Sequence, residues 1–327
     1  MNIGINGMGR IGRSFFRVLE QNGKLSLLKA VNDIMPKEHL AYLLQYDTVR
    51  GKLPSTVTIT PDGINVEGHS IKVFQCNDPA QIRWKHAGVE TVIESSGVFA
   101  NSESMHKHIS SGAERCLLTT TGPSDVPLFI LGVNEDEYNN EAIFSIGSCT
   151  VNGTAPVVHS LQEYQPRSIY LNIIHSYSTR QNILDSYHPE LRRSRGSADN
   201  IIPLNINLDV SLQRLFPALK NRIVSITSRV PVPCGVLADC TFQFNNPPRA
   251  SDELKEKLRQ KSMEAPIIME YSTAPLVSSD VINNTHSLVI DNEFVHSMGD
   301  HTKVLVWFDN EWGFSNRIFD WIKRLSK

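Results

Sequence analysis

The chain has 327 residues, 40% of them hydrophobic and 20% charged, with a formal net charge of −2. That length exceeds what one compact core usually needs, so two domains are expected. The composition is that of a soluble globular protein, and the charge gives no general attraction to nucleic acid or anionic membranes, so neither is expected as a partner.

No run of about 18 apolar residues is present, which predicts no transmembrane helix. The sequence enters a strand pattern at Asn2-Ile3-Gly4-Ile5 without a basic leader, so no secretory signal is expected. Cys76, Cys116, Cys149, Cys234 and Cys240 are odd in number and widely spaced, which argues for a reducing compartment, and the cytoplasm is the expected location. Their spacing and the lack of a flanking histidine pair give no metal site.

In chain order, Met1 to Ile5 predicts a short apolar strand. Gly7-Met8-Gly9-Arg10-Ile11-Gly12 follows at once, and Ile11, Phe15, Val18 and Leu19 mark one helical face. Leu25 to Val31 predicts a second strand ending at Asn32-Asp33. The glycines of this βαβ unit have separate uses: Gly7 for a tight turn, Gly9 for close approach to a pyrophosphate, Gly12 for packing helix on strand. The pyrophosphate would rest on the helix N-terminus. Asp33 stands about 20 residues after Gly12, where a carboxylate accepts ribose hydroxyls and repels a 2′-phosphate, so NAD is expected rather than NADP. The glycines could merely turn the chain, but the whole unit is in register.

Further strands are predicted at Ser70 to Phe74, Thr91 to Glu94, Arg115 to Thr119 and Leu128 to Val133. Glu94-Ser95-Ser96-Gly97-Val98-Phe99 closes one strand in small polar residues, which makes Ser95 and Gly97 candidates for the nicotinamide end of the cofactor. His106 and His108 lie in a polar stretch and are expected to be solvated.

Cys149 sits in Ser148-Cys149-Thr150-Val151-Asn152, before an apolar run of helical spacing through Ala155, Val157, Val158 and Leu161. A thiol at a helix N-terminus meets unpaired N–H groups and the positive end of the dipole, and both favour thiolate. His175, in Ile173-Ile174-His175-Ser176, is the candidate imidazole partner. A reactive thiolate behind a nucleotide-binding segment points to oxidation through a covalent intermediate. The other four cysteines are expected to be inert.

After the Cys149 helix, longer strands are predicted at Ser168 to Ile174, Arg222 to Arg229, Val236 to Phe244 and Val304 to Phe308. A charged helix spans Asp252 to Met263, with Ser251 as its N-cap, and an amphipathic helix runs from Asn316 through Ile318, Phe319, Ile322 and Leu325. The expected fold is α/β: a Rossmann-type doubly wound parallel sheet over 1–148, then an α+β catalytic domain over 149–312 with a mostly antiparallel sheet. Arg229, before Pro231 and Pro233, is a candidate anion ligand. Arg192, Arg193 and Arg195 lie in a long polar loop, which for Arg192 and Arg193 reads equally as a solvated or subunit-facing loop or as an anion pocket.

Together these residues resemble the glyceraldehyde-3-phosphate dehydrogenase family over nearly the whole chain. The resemblance runs through Asn6-Gly7-Met8-Gly9-Arg10-Ile11-Gly12-Arg13, Glu94-Ser95-Ser96-Gly97, Ser148-Cys149-Thr150, His175-Ser176-Tyr177, Arg229-Val230-Pro231-Val232-Pro233 and Trp307-Phe308-Asp309-Asn310-Glu311-Trp312-Gly313. It implies Cys149 as nucleophile, His175 as base and thiolate partner, and Arg10, Ile11 and Asn310 among the NAD contacts. It implies phosphate recesses using Ser148, Thr150, Ser178, Arg229 and either Arg193 or Arg195; Arg180, a departure from the family pattern, adds a cation two residues after Ser178. It also implies a homotetramer, a small phosphorylated aldehyde as substrate, and a terminal helix (313–327) that returns to the first domain.

The sequence departs from the family pattern in ways that bear on the last chemical step. Ile146, Gly147, Val151 and Gly153 differ around the nucleophile. The Thr-Gly-Ala-Ala-Lys loop that helps bind inorganic phosphate is replaced by Pro203-Leu204-Asn205-Ile206-Asn207-Leu208-Asp209. Tyr187-His188-Pro189-Glu190-Leu191-Arg192-Arg193 and Leu276-Val277-Ser278-Ser279-Asp280 are similar to the erythrose-4-phosphate dehydrogenase branch, although that branch usually has Glu where this chain has Asp33. The expected reaction is NAD-dependent oxidation of a phosphorylated aldehyde through a cysteine thiohemiacetal and thioester. The alternative is non-phosphorylating oxidation of erythrose 4-phosphate or another anionic aldehyde to the free acid.

Overall fold

The structure is a computed structural model that describes residues 1–326. It divides into two compact units, one made of Met1–Ile130, Asn134–Ser148 and the residues from Ser315 onward, the other of Leu131–Val133 and Cys149–Phe314.

The first unit contains β1 (Ile3–Asn6), α1 (Arg10–Gln21), β2 (Leu28–Asn32), α2 (Lys37–Gln45), β3 (Tyr46–Asp47), β4 (Gly51–Lys52), β5 (Val57–Thr60), β6 (Gly63–Val66), β7 (His69–Phe74), β8 (Thr91–Glu94), α3 (Ser102–Ser110), β9 (Arg115–Leu118) and β10 (Ile143–Ser145). Among the described residues its main sheet has the order β10-β9-β8-β1-β2-β7-β6-β5. From β10 to β7 the neighbours are parallel; β6 and β5 add an antiparallel edge. β1 and β8 are buried at every position, as strands covered on both faces must be. The chain leaves β1 towards β2 and later returns on its other side as β8, so the strand order reverses beside β1. Ligands of open α/β sheets bind in the crevice at the carboxyl ends of strands at such a reversal.

Leu128 to Val133, expected as a strand, makes only a single bridge from Leu128 to Ser145. The edge strand is β10 instead. Gly132, at φ +78°, turns the chain away before a ladder can extend. In this unit the terminal residues present Trp321 to Phe129, Tyr138 and Phe144, with ring centroids 6.4, 5.5 and 5.1 Å away.

The second unit contains α4 (Cys149–Ser160), β11 (Pro166–Ser176), β12 (Ile202–Leu204), α5 (Leu208–Leu215), β13 (Ile223–Val230), β14 (Val236–Phe244), α6 (Ser251–Glu264), β15 (Met269–Ser272), β16 (Leu288–Met298) and β17 (His301–Phe308); α7 (Trp312–Leu325) starts here. Among the described residues its sheet runs β12-β13-β11-β14-β17-β16-β15. Only the β11/β13 and β15/β16 pairs are parallel. β14 alternates buried and half-buried residues along its length, the period of two expected of a sheet with one face in the core.

Two local expectations change. Ser251 is the first helical residue of α6 rather than its cap, and its hydroxyl accepts the Ser297 N–H at 2.9 Å. Gly153, inside α4, is required by packing: a Cβ there would lie 2.6 Å from the Phe308 ring.

Candidate active site and dinucleotide cradle

In the second unit, Cys149 opens α4 and His175 lies near the end of β11. The sulfur is 3.9 Å from His175 Nε2. His175 Nδ1 lies 2.8 Å from the Ser176 carbonyl, which leaves Nε2 as the ring nitrogen that faces the thiol. Arg229 is the register partner of His175 on the adjacent parallel strand. Its Nη1 touches Nδ1 and donates to the same Ser176 carbonyl at 2.7 Å.

The charges of this cluster are coupled. Burial pushes the Cys149 thiol up to about 11, while Arg229 and the N–H groups of Thr150 and Cys149 pull it down. Burial and then Arg229 drive His175 down to about 3, against the Ser176 carbonyl. The helix end alone, expected from sequence to favour thiolate, is outweighed by enclosure. Each charge alone is costly here, whereas a proton passed from sulfur to Nε2 makes a neutral pair in which each charge offsets the other's desolvation. Burial, and then Arg193, lower Arg229 to about 10, so it remains a cation at neutral pH.

Asn310 belongs to the same unit. Its Oδ1 accepts from the Ser176 hydroxyl and the Gly235 N–H, both at 3.2 Å, which leaves Nδ2 as the outward donor. Asp309 fixes the turn that carries Asn310: Oδ1 accepts from the N–H groups of Glu311 (2.9 Å) and Trp312 (2.8 Å), and from the Cys234 thiol at 3.2 Å. Ser176, Gly235 and Asp309 were not singled out from sequence. The signal for Asp309 was present, since an Asp before a helix start is an N-cap pattern.

The arginines divide. Arg193 is nine-tenths buried and within electrostatic reach of Arg229, with Nε on Glu190 at 3.0 Å. Arg193 Nη1 and Arg229 Nε are buried without a hydrogen-bond partner among the described residues. Arg195 instead pairs with Asp185 on the exposed side of the loop, and Arg192 and Arg180 are exposed. Ser178 is half-buried beyond β11, Thr150 is buried in the first turn of α4, and half-buried Ser148 directly precedes Cys149.

In the first unit, Gly7 has φ +91°, and a Cβ there would lie 2.3 Å from Ser96 N. A Cβ on Gly12 would lie 2.2 Å from the Gly7 carbonyl. Gly9, at the cap of α1, faces open space instead. Two glycines thus close the turn and the third leaves its outer side clear, the shape a pyrophosphate on a helix N-terminus needs. Asp33 is held at the rim, with Oδ2 accepting from Met8 N at 2.6 Å and Oδ1 from Met35 N at 3.0 Å. The Ser95 hydroxyl donates to the Gly7 carbonyl at 2.7 Å, half-buried Ile11 is in the first turn of α1, and Gly97 is exposed at φ +69°. The Arg10 side chain is engaged by Asp47. The turn, the helix end and the carboxylate fit a dinucleotide.

Comparison with known proteins gives one family across both units. Residues 148–310 match the model for the glyceraldehyde 3-phosphate dehydrogenase C-terminal domain, and residues 1–102 that for its NAD binding domain. The chain is 38% identical to glyceraldehyde-3-phosphate dehydrogenase 2 of Streptomyces avermitilis over 326 residues, 98% of this chain and 97% of the relative. It is 36% identical to the glyceraldehyde-3-phosphate dehydrogenase of Streptomyces coelicolor, with the same shares covered. It is 35% identical to that of Mycobacterium bovis over 338 residues, 100% of this chain and 99% of the relative.

Proposed function

The chain belongs to the glyceraldehyde-3-phosphate dehydrogenase family and is an NAD-dependent dehydrogenase, and from that premise we propose that it oxidises a small phosphorylated aldehyde held covalently on Cys149. The observation that carries this reading is the row of Cys149, His175 and Arg229, in which sulfur and imidazole lie 3.9 Å apart beside a buried cation. The unpartnered N–H groups of Arg193 and Arg229 suit an anionic substituent on the substrate.

Cys149 sulfur attacks the aldehyde carbon, and the thiol proton passes by way of His175 to the carbonyl oxygen, giving a thiohemiacetal. The Cys149 N–H and the His175 ring stabilise the oxygen as its charge grows. His175 Nε2 then takes the hydroxyl proton as the carbon is oxidised to the thioester level. NAD, when bound, supplies the two-electron acceptor. Gly7, Gly9, Arg10, Ile11, Gly12, Asp33, Ser95 and Gly97 would hold the dinucleotide, with Asn310 Nδ2 as the donor to its carboxamide. Ser148, Thr150, Ser178 and Arg180 complete the proposed anion contacts, and the burial and unpartnered Nη1 of Arg193 make it a better candidate than exposed Arg195. A cytoplasmic homotetramer accords with this reading, as do the exposed Ile183, Leu184, Tyr187 and Leu191 on the loop after β11.

A second reading concerns release of the acyl group, and the segment after β12 favours water over phosphate. β12 runs antiparallel to β13 from Ile202 beside Arg229 to Leu204 beside Thr227, so it leads away from the catalytic row. Ser225, where Asp209 is tied, is about 13 Å further along the strand than Arg229 at about 3.3 Å per residue. Asn207 N is taken by Asn205 Oδ1 at 2.8 Å, Asp209 N by Ser225 Oγ at 3.3 Å, and Ile206 has no side-chain donor. A segment with engaged donors and a carboxylate is a poor cradle for a second phosphate. The test is NADH formation and product analysis with three- and four-carbon phosphorylated aldehydes, with and without inorganic phosphate. Turnover to the free acid without phosphate supports release by water. Strict phosphate dependence removes that reading, and no turnover of any aldehyde removes the first as well.

A further inference from the structure

Glu94 lies at the carboxyl end of β8 and is 1% exposed, yet its carboxylate has donors on both oxygens. Oε1 accepts from the Ser96 N–H at 2.8 Å and from the Ser96 hydroxyl. Oε2 accepts from Asn6 Nδ2 and from His108 Nε2, the latter at 3.0 Å. His108, expected from its polar surroundings to be solvated, is fully buried on α3. The indole N–H of fully buried Trp84 donates to His108 Nδ1 at 2.9 Å. An indole N–H can only donate, so Nδ1 is an acceptor and the ring hydrogen sits on Nε2, aimed at Glu94. On the other side, Asn6 Oδ1 accepts from Asn32 Nδ2 at 2.8 Å, and Asn32 Oδ1 accepts from Cys76 N at 2.9 Å.

This network ties together the carboxyl ends of the strands that form the dinucleotide cradle. Asn6 ends β1 and precedes Gly7; Asn32 ends β2 and precedes Asp33; Ser96 stands between Ser95 and Gly97. The two turns touch, because a Cβ on Gly7 would meet Ser96 N. A carboxylate that gathers donors from both turns, and is itself tethered through His108 to Trp84, fixes their spacing against a rigid wall. A neutral amide of the same shape could not do this, since one of its two heads is a donor and would face donors.

We propose that Glu94 is a positioning residue for NAD: through Asn6 and Ser96 it holds the glycine turn and the Ser95–Gly97 turn at the separation the dinucleotide requires. The proposal rests on NAD as the cofactor and not on which aldehyde is oxidised or how the acyl group is released. The test is calorimetric titration of NAD into full-length cofactor-free protein, with Glu94→Gln beside the parent. The dissociation constant is expected to rise about tenfold. The aldehyde KM and kcat at saturating NAD should stay within about twofold, the split expected of a perturbed cradle beside an intact reaction centre. A purely structural role would lower the melting temperature of the variant and leave the NAD affinity of its folded fraction unchanged, and that result overturns the proposal. If Glu94→Gln does not fold, Ser96→Ala removes one hydroxyl donor and keeps the backbone N–H. Its NAD dissociation constant should rise about threefold, and an unchanged value again overturns the proposal.

Discussion

Arg229 Nη1 and His175 Nδ1 meet at one atom, the Ser176 carbonyl oxygen, 2.7 and 2.8 Å from them. Parallel register puts the two residues side by side, so a cation stands directly behind the imidazole that faces Cys149. Burial first, and then this cation, keep the ring from being protonated singly, and the cation supports a negative sulfur.

The first prediction follows from that coupling. Burial places the isolated thiol at about 11, so a thiol without its imidazole is mostly protonated at neutral pH. In His175→Asn, alkylation of Cys149 by iodoacetamide should rise nearly tenfold per unit between about pH 6 and 9, tracking the thiolate fraction. The parent should show a much shallower profile there, because the proton is taken within the pair. Equal slopes in the two proteins would mean that the imidazole does not activate the sulfur.

A second prediction concerns acid stability in the first unit. Burial raises Asp47, but Arg10 and the N–H groups of Arg50 and Val49 more than offset it, leaving the carboxyl at about 2 against an ordinary 3.8. A depressed carboxylate contributes stability that is fully present above its unfolded value and is lost as pH falls through the folded one. Solvent screening of this partly exposed pair limits the contribution to about 1 kcal/mol. Asp47→Asn should thus be less stable at neutral pH, and the difference from the parent should close between about pH 4 and pH 2. Urea midpoints measured across that range check it; a gap that widens on acidification would contradict the sign.

Packing at Gly153 gives a third. A Cβ would enter the Phe308 ring at 2.6 Å, so Gly153→Ala should cost about 1–3 kcal/mol despite the better helix propensity of alanine. Combining it with Phe308→Leu should recover part of that loss. Thermal unfolding of the single and double variants decides it, and simple additivity of the two losses would argue against the contact.

The fourth concerns Asn310. Removing the Ser176 hydroxyl leaves Oδ1 with one donor fewer and the amide less firmly held, with the Gly235 N–H remaining. Ser176→Ala should raise the KM for NAD about threefold to tenfold while changing the aldehyde KM little. A change confined to the aldehyde KM would assign Ser176 to the substrate side instead.

Much of this site was legible in the sequence because local rules and fold agreed. The run from Ile3 to Asp33 carries turn glycines, a helical face and a strand-ending carboxylate at fixed offsets, and all sit where those offsets require. Cys149 was legible as a helix start. Less legible was what depends on partners far along the chain. His108 looked solvated because its neighbours in sequence are polar, but its burial is decided by Trp84 and Glu94. Arg195 looked equivalent to Arg193 in sequence, but each pairs with a carboxylate and only Arg193 is buried. The edge hairpin β5–β6 escaped notice because β5 is largely exposed and lacks a buried face to mark it. The acidity of Cys149 could not be read from the helix end alone, since enclosure opposes it.

The central claim is that the substrate is oxidised while bonded to Cys149. The most direct measurement is peptide-level mass spectrometry after acid quench of enzyme, NAD and a phosphorylated aldehyde within a single turnover. The account predicts an acyl group on the peptide carrying Cys149, no adduct and no NADH with Cys149→Ser, and a burst of NADH matching the acylated fraction. Turnover by Cys149→Ser at the parent rate, or an acyl group on any other residue, would contradict it.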